Sequence, residues 1–129
     1  MILIDTSAWI EFLRDTGSPV CKLVDEMLEE DIAVCDPIRM EVLAGARDES
    51  HLLLLRRLLA RTASIEARPA DYETAAGLYR HCRRSGETVR KLIDCLIAAI
   101  AIRAGVPVLH NDADFTVLGR HTALQIYGR

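Results

Sequence analysis

Ile2-Leu3-Ile4-Asp5-Thr6-Ser7 sets three apolar residues directly ahead of an acid and two hydroxyls. The apolar run reads as a short buried strand, and the polar triplet as the place where that strand ends and a helix is capped. The same pattern recurs along the chain. Ile32-Ala33-Val34-Cys35 reads as a second strand, followed by Asp36-Pro37, a capping residue and a proline at the first helical position. Val106-Pro107-Val108-Leu109 reads as a fourth, delivering His110-Asn111-Asp112-Ala113-Asp114-Phe115 at its end. Residues 63–67 and about 123–126 supply the third and last strands.

Helical patterns fill the spaces between these runs. The first carries Trp9, Ile10 and Leu13 inward. Ser18-Pro19 opens the second, in which Val20, Leu23, Val24, Met27 and Leu28 recur with the spacing of an amphipathic helix. A third carries Glu41 and ends near Gly45, and a fourth spans residues 50–61. Pro69 opens a fifth with Tyr72, Ala75, Ala76, Tyr79 and Cys82 on one face, stopped by Ser85-Gly86. Residues 91–103 form a helix that is almost wholly apolar after Asp94, and a short helix follows Asp112. Strands alternating with helices predict an α/β fold with a mainly parallel sheet covered on both faces, in one domain over residues 1–129.

Half of the 129 residues are apolar and 27% are charged, which excludes a disordered chain. No run of about 18 uncharged apolar residues occurs, so no membrane-spanning helix is expected. The opening lacks the basic region and cleavage site of a secretory signal, and a cytosolic location is expected. A formal charge of −3 argues against a nonspecific electrostatic binder of nucleic acid, yet it suits a site whose acids hold cations. Cys21, Cys35, Cys82 and Cys95 form no closely spaced pair, so buried free thiols are expected rather than a disulfide framework or zinc site.

In open parallel sheets, ligand sites gather beyond the carboxyl ends of the strands. Asp5 ends the first strand and Asp112 follows the fourth, so parallel strands put both on one rim. Taken singly, Asp5 is also a helix cap and Asp112 a turn former. Asp94 lies among Leu92, Ile93, Cys95, Leu96 and Ile97, where an ionised carboxylate is costly unless paired or bound to metal. A salt bridge to Arg90 or Lys91 answers that need as well. Glu41 sits in the helical run Glu41-Val42-Leu43-Ala44-Gly45. Several converging carboxylates suit hard, oxygen-seeking cations such as Mg²⁺ or Mn²⁺. The histidines build no rival site, and a satisfied hydrogen-bonding role is expected for His110.

These segments resemble, in order, the four acidic motifs of PIN domains: residues 2–7, residues 41–45, Asp94-Cys95-Leu96-Ile97-Ala98-Ala99, and residues 110–115. The length and wording are similar to the VapC toxins of toxin–antitoxin modules. The resemblance implies a three-layer α/β/α fold with about five parallel strands. It further implies an endoribonuclease dependent on one or two Mg²⁺ or Mn²⁺ ions, held in check by a VapB antitoxin. Asp5, Glu41, Asp94 and Asp112 match the metal-binding acids, and Asp114 a further acid of less defined role. Thr6 and Ser7 match the hydroxyl positions after the first acid, with Ser7 expected to orient a carboxylate or water.

RNA also needs cations. Arg80, Arg83, Arg84, Arg90 and Lys91 crowd the stretch before Asp94 and are expected to line the RNA path, against the plainer reading of a solvated helix face. The resemblance also implies a homodimer and antitoxin contact through apolar segments, with Trp9, Phe12 and Leu55 as possible surface or core. The alternative function is a noncatalytic PIN-like module that binds RNA or protein.

Overall fold

The computed structural model describes residues 1–128. Its elements run β1 (Ile2–Ile4), α1 (Thr6–Leu13), α2 (Pro19–Met27), β2 (Ile32–Cys35), α3 (Asp36–Ala44), α4 (Glu49–Leu59), β3 (Ala63–Ile65), α5 (Pro69–Arg84), α6 (Leu92–Ala104), β4 (Val108–Leu109) and α7 (Ala113–His121). The strands form one four-stranded sheet in the order β3-β2-β1-β4. Every pairing is parallel, with Ile2 opposite Ile32, Leu3 opposite Val108 and Ala33 opposite Ala63.

All four residues of β2 are buried. Successive side chains of a strand point to opposite faces, so helices must cover the sheet on both sides. This gives the three-layer arrangement. The core is continuous through Leu3, Ile4, Val34, Ile38, Ile97, Ile100 and Phe115. All four cysteines are free and buried within the fold, as expected.

The sheet has four strands rather than about five. The segment expected to form the fifth contributes one bridge, Val108 to Ile126, made by the Val108 N–H to the Gln125 carbonyl and the Tyr127 N–H to the Val108 carbonyl. Two features cut it short. The Val106 N–H, which a longer ladder would use, is spent on the Ala101 carbonyl at the end of α6. Downstream, Gly128 has φ +76°, which leaves extended geometry.

Other departures are local. Asp36 is the first residue of α3 rather than its cap, because its carboxylate accepts the Ala67 N–H across β3. β3 stops at Ile65, two residues earlier than expected. In α1, Trp9 is buried but Ile10 and Leu13 are 37% and 42% exposed. In α5 the inward residues are Asp71, Ala75 and Cys82, while Tyr72 faces solvent. His121 is the last residue of α7.

The end of α6 aims β4 at its place beside β1. Gly105 takes φ +68°, and its N–H bonds Ile102 while the Val106 N–H reaches back to Ala101. This is the hydrogen-bond pattern of a left-handed helix stop. A Cβ added to Gly105 meets nothing within 4 Å, so substitution strains only the backbone. Gly105→Ala is therefore expected to cost about 1–2 kcal/mol in urea unfolding with an unchanged denaturant slope. Gly105→Asn is expected to cost less, since asparagine tolerates this conformation.

Candidate active site

From β1 the chain adds β2 and then β3 on one side, and returns to the other side of β1 as β4. The strand order therefore reverses between β1 and β4, the kind of switch point where open parallel sheets bind ligands beyond the strands' carboxyl ends. The Asp5 N–H extends the pairing by bonding the Leu109 carbonyl at 2.9 Å. Asp5 and the 110–114 turn thus share one rim.

Asp5 caps α1, and its Oδ2 accepts the Ser7 N–H at 3.0 Å and the Ser7 hydroxyl at 2.6 Å. Ser7 Oγ also accepts the Asn111 N–H at 2.9 Å, which ties the ends of β1 and β4 together. Thr6 donates its hydroxyl to Glu41 Oε1 at 2.8 Å, linking α1 to α3. The two hydroxyls after Asp5 thereby orient two different carboxylates.

Asp94 enters from the first turn of α6 and Asp112 from the cap of α7. Asp94, Asp112 and Asp114 each offer an oxygen, and these atoms lie within 4.8 Å of one another. Asp114 is clamped: its Oδ1 accepts the Arg90 N–H and its Oδ2 the Lys91 N–H, both at 3.0 Å. Asp112 Oδ1 accepts the Asp114 N–H at 2.9 Å, and His110 Nδ1 accepts the Asp112 N–H at 3.1 Å. His110 thus plays the hydrogen-bonding role expected of it.

Cations close over this group. Arg90 reaches Asp112 Oδ1 at 3.1 Å and Asp114 Oδ1 at 3.3 Å. Lys91 Nζ lies 2.5 Å from Asp112 Oδ2 and 3.5 Å from Asp94 Oδ2. Arg83 and Arg84 stay on the exposed last turn of α5, where Arg83 stacks over Tyr79, and neither bonds an acid of the site among the described residues. Arg80 is likewise exposed on α5.

Burial and crowding divide the acids by charge. Burial, with the charge of Glu41 adding to it, pushes the Asp5 carboxyl up to about 6. Asp94 is pushed up to about 8 by burial, then by its hydrogen bond to Asp114 and by the charge of Asp5. At Asp112 burial opposes ionisation, but the hydrogen bond and charge of Lys91 outweigh it and hold the carboxyl below its ordinary range. Asp114 is also buried, and the backbone N–H of Arg90 leads the contacts that keep it low. Lys91 in turn is pushed up to about 12, chiefly by Asp112.

The donor set fits a hard divalent ion. All donors are carboxylate oxygens, and Asp5 Oδ1 and Asp94 Oδ2 are buried with no hydrogen-bond partner. Buried carboxylate oxygens without a hydrogen bond are costly, and a divalent cation satisfies them. Sequence reasoning passed over one further buried acid, Asp71. Its two oxygens are engaged by Arg103 Nε at 2.8 Å and Nη2 at 2.9 Å, so it braces α5 against α6. Its proton-free state is likewise secured by Arg103. Nothing local to Asp71 announces a partner 32 residues away.

Beside Thr6 and Glu41 a groove of about 350 Å³ runs between α1, α3 and α4, with Ile10, Leu13, Arg14 and Arg47 on its walls. Trp9 and Leu55 also border it, but both are buried core residues, and Phe12 is half-buried.

The chain belongs to the PIN-domain family, whose model matches residues 2–120. It is similar to Ribonuclease VapC11 of Mycobacterium tuberculosis, with 51% identity over 97% of this chain and 96% of that protein. That likeness puts it in the VapC branch of the family. Among solved structures, the fold is similar to VapBC2 from Rickettsia felis bound to a DNA fragment from its promoter, with a TM-score of 0.77 and 18% identity over 98% of this chain and 97% of that one. It is also similar to Mycobacterium tuberculosis VapC20, described as a sarcin-ricin loop cleaving toxin, with a TM-score of 0.70 and 16% identity over 92% and 95% of the two chains.

The raised carboxyls have a consequence for stability. Asp5 and Asp94 bind protons more tightly folded than unfolded, so their contribution is complete below the ordinary carboxyl value of 3.8 and is lost as pH rises through about 6 and about 8. With EDTA present, the melting temperature is expected to fall between about pH 4 and about pH 8. Asp94→Asn, which keeps a side chain of the same shape but cannot ionise, is expected to flatten that slope and melt several degrees higher at its alkaline end. An unchanged slope in this variant would contradict the electrostatic account.

Proposed function

We propose that the protein is the ribonuclease toxin of a toxin–antitoxin pair, hydrolysing RNA phosphodiesters with Mg²⁺ or Mn²⁺. The observation that carries this reading is the acid cluster at the β1–β4 switch point, with the Asp5 Oδ1 and Asp94 Oδ2 oxygens buried and without a hydrogen bond. Asp94, Asp112 and Asp114, whose oxygens converge, together with Asp5 and Glu41 beside them, are the residues that would hold one or two ions. Bound there, a divalent ion supplies water activation and offsets charge developing on the phosphate.

The chain's own residues do the positioning. Ser7 holds Asp5, and Thr6 holds Glu41, before substrate arrives. Two of the carboxylates are thereby oriented in advance, which is the main saving that a preorganised site offers. Arg90 and Lys91, half-exposed at the mouth, are placed to meet an RNA backbone. A structured RNA such as transfer RNA is the substrate we favour, in keeping with the loop-cleaving activity in the description of VapC20.

A VapB-type antitoxin is the partner in this reading, supported by the VapBC complexes that share the fold. The groove beside Glu41, with Ile10 and Leu13 on its walls, is the surface such a partner would cover. A homodimer belongs to the same reading, with the apolar hollow between Tyr72 and Leu92 as its surface. No helix among the described residues is long and apolar enough to cross a membrane. We place the protein in the cytoplasm, where its RNA substrates lie.

Purified protein free of antitoxin is expected to cut total RNA into discrete fragments with Mg²⁺ or Mn²⁺, and not with EDTA. Asp5→Ala and Asp94→Asn are each expected to lower the cleavage rate at least about a hundredfold, the scale of losing a group that acts on the reacting charge. Metal-independent cleavage, or full activity in Asp94→Asn, would refute the mechanism. Folded, metal-binding protein that binds RNA without cutting it would favour the noncatalytic module.

The arginines on α5 can be tested separately. The double change Arg83→Glu and Arg84→Glu is expected to weaken RNA binding and reduce its salt dependence by about one unit of slope per lost phosphate contact. Unchanged affinity and slope would return these residues to an ordinary solvated face.

A further inference from the structure

We propose that Lys91 competes with the divalent ion for Asp94 and Asp112, and so sets the ion concentration at which the nuclease becomes active. The inference rests on the metal-dependent reading above and concerns a residue that reading assigns to RNA alone.

The argument begins with how the acids are supplied with positive partners. Asp5 and Glu41 are held by neutral hydroxyls, from Ser7 and Thr6. Asp112 is held differently: its Oδ1 takes the Asp114 N–H and the Arg90 guanidinium, and its Oδ2 takes the Lys91 ammonium. Asp94 Oδ2 is buried and lacks a hydrogen bond, and the same ammonium stands 3.5 Å away. Lys91 Nζ therefore sits between two carboxylates and within ion-pair distance of both. A divalent ion drawing on these oxygens and an ammonium drawing on them repel one another at contact range. The two cations cannot both have full use of Asp94 and Asp112.

The placement of the ammonium is built into the backbone. Asp114 spends both oxygens on the consecutive N–H groups of Arg90 and Lys91, pinning the turn that leads into α6. This gives Asp114 a distinct task, that of a positioning residue that aims Lys91 at its neighbours. Lys91 can nonetheless leave. Its side chain is 51% exposed, and a flexible four-carbon stem lets the ammonium move to water without disturbing the pinned backbone. Among the described residues Arg90 forms ion pairs with Asp112 and Asp114 and none with Asp94, so the direct competition falls on Lys91.

The test is Mn²⁺ binding followed by electron paramagnetic resonance, which reads free ion and needs no RNA. Lys91→Met is expected to bind Mn²⁺ roughly tenfold more tightly, the low end of what one adjacent charge does to a carboxylate's affinity for a proton. Lys91→Arg, which keeps the charge, should stay near the parent protein. Lys22→Met removes the chain's other lysine, on exposed α2, and controls for net charge. The half-activating Mn²⁺ concentration for RNA cleavage should fall by the same factor in Lys91→Met. Lys91→Gln repeats the measurement with a polar side chain should the methionine variant fold poorly. Parent-like or weaker Mn²⁺ binding in the neutral variants overturns the inference while leaving the metal-dependent nuclease intact. Absence of Mn²⁺ binding in the folded parent protein overturns both.

Discussion

The pairing of Leu3 with Val108 is the contact on which the site depends. It brings the first strand against the fourth and sets Asp5 beside the turn that carries Asp112 and Asp114. A shift of that register by one residue would exchange the two faces of β4 and turn its buried side chains the wrong way. The Ser7 hydroxyl, bonded to both Asp5 and the Asn111 N–H, seals the same junction from above the sheet. Sheet order, strand register and the hydroxyl bridge are therefore one constraint expressed at three scales.

Bringing those strands together concentrates negative charge where water is scarce. The fold meets that cost unevenly. Asp112 and Asp114 are stabilised as anions by backbone N–H groups and by Arg90 and Lys91, while Asp5 and Asp94 are left under-satisfied and hold protons more firmly. A protein selected only for stability would replace Asp94 with an apolar residue, since α6 is otherwise buried around it. Its retention in so apolar a helix fits the general opposition between a stable core and a site kept ready for a ligand.

Much of this was legible in the residues, and what was not has identifiable causes. Asp5, Glu41, Asp94 and Asp112 stood out because each acid interrupts or ends an apolar element, a local signal. The reading of Arg90 and Lys91 as RNA contacts missed their bonds to Asp112 and Asp114, because those bonds span 21 to 24 residues and depend on the turn before α6. Residues 123–126 have the composition of a strand, yet pairing is limited by an N–H already committed to ending α6. Ile10 and Leu13 follow helical spacing but border the open groove beside Glu41, and periodicity alone does not distinguish a core from a groove.

The acids of the site enter the chain at residues 5, 41, 94 and 112, and the last of them stands beyond the partner strand of β1. During synthesis the N-terminal acids leave the ribosome long before Asp94 and Asp112 exist to join them. The β1–β4 contact is also among the most distant in sequence, the kind that forms late because loop closure must precede it. A nascent chain is thus without a complete site until residue 112 has been added and has left the ribosome. For an enzyme that destroys RNA, this topology delays the hazard until β4 has been made and has docked beside β1.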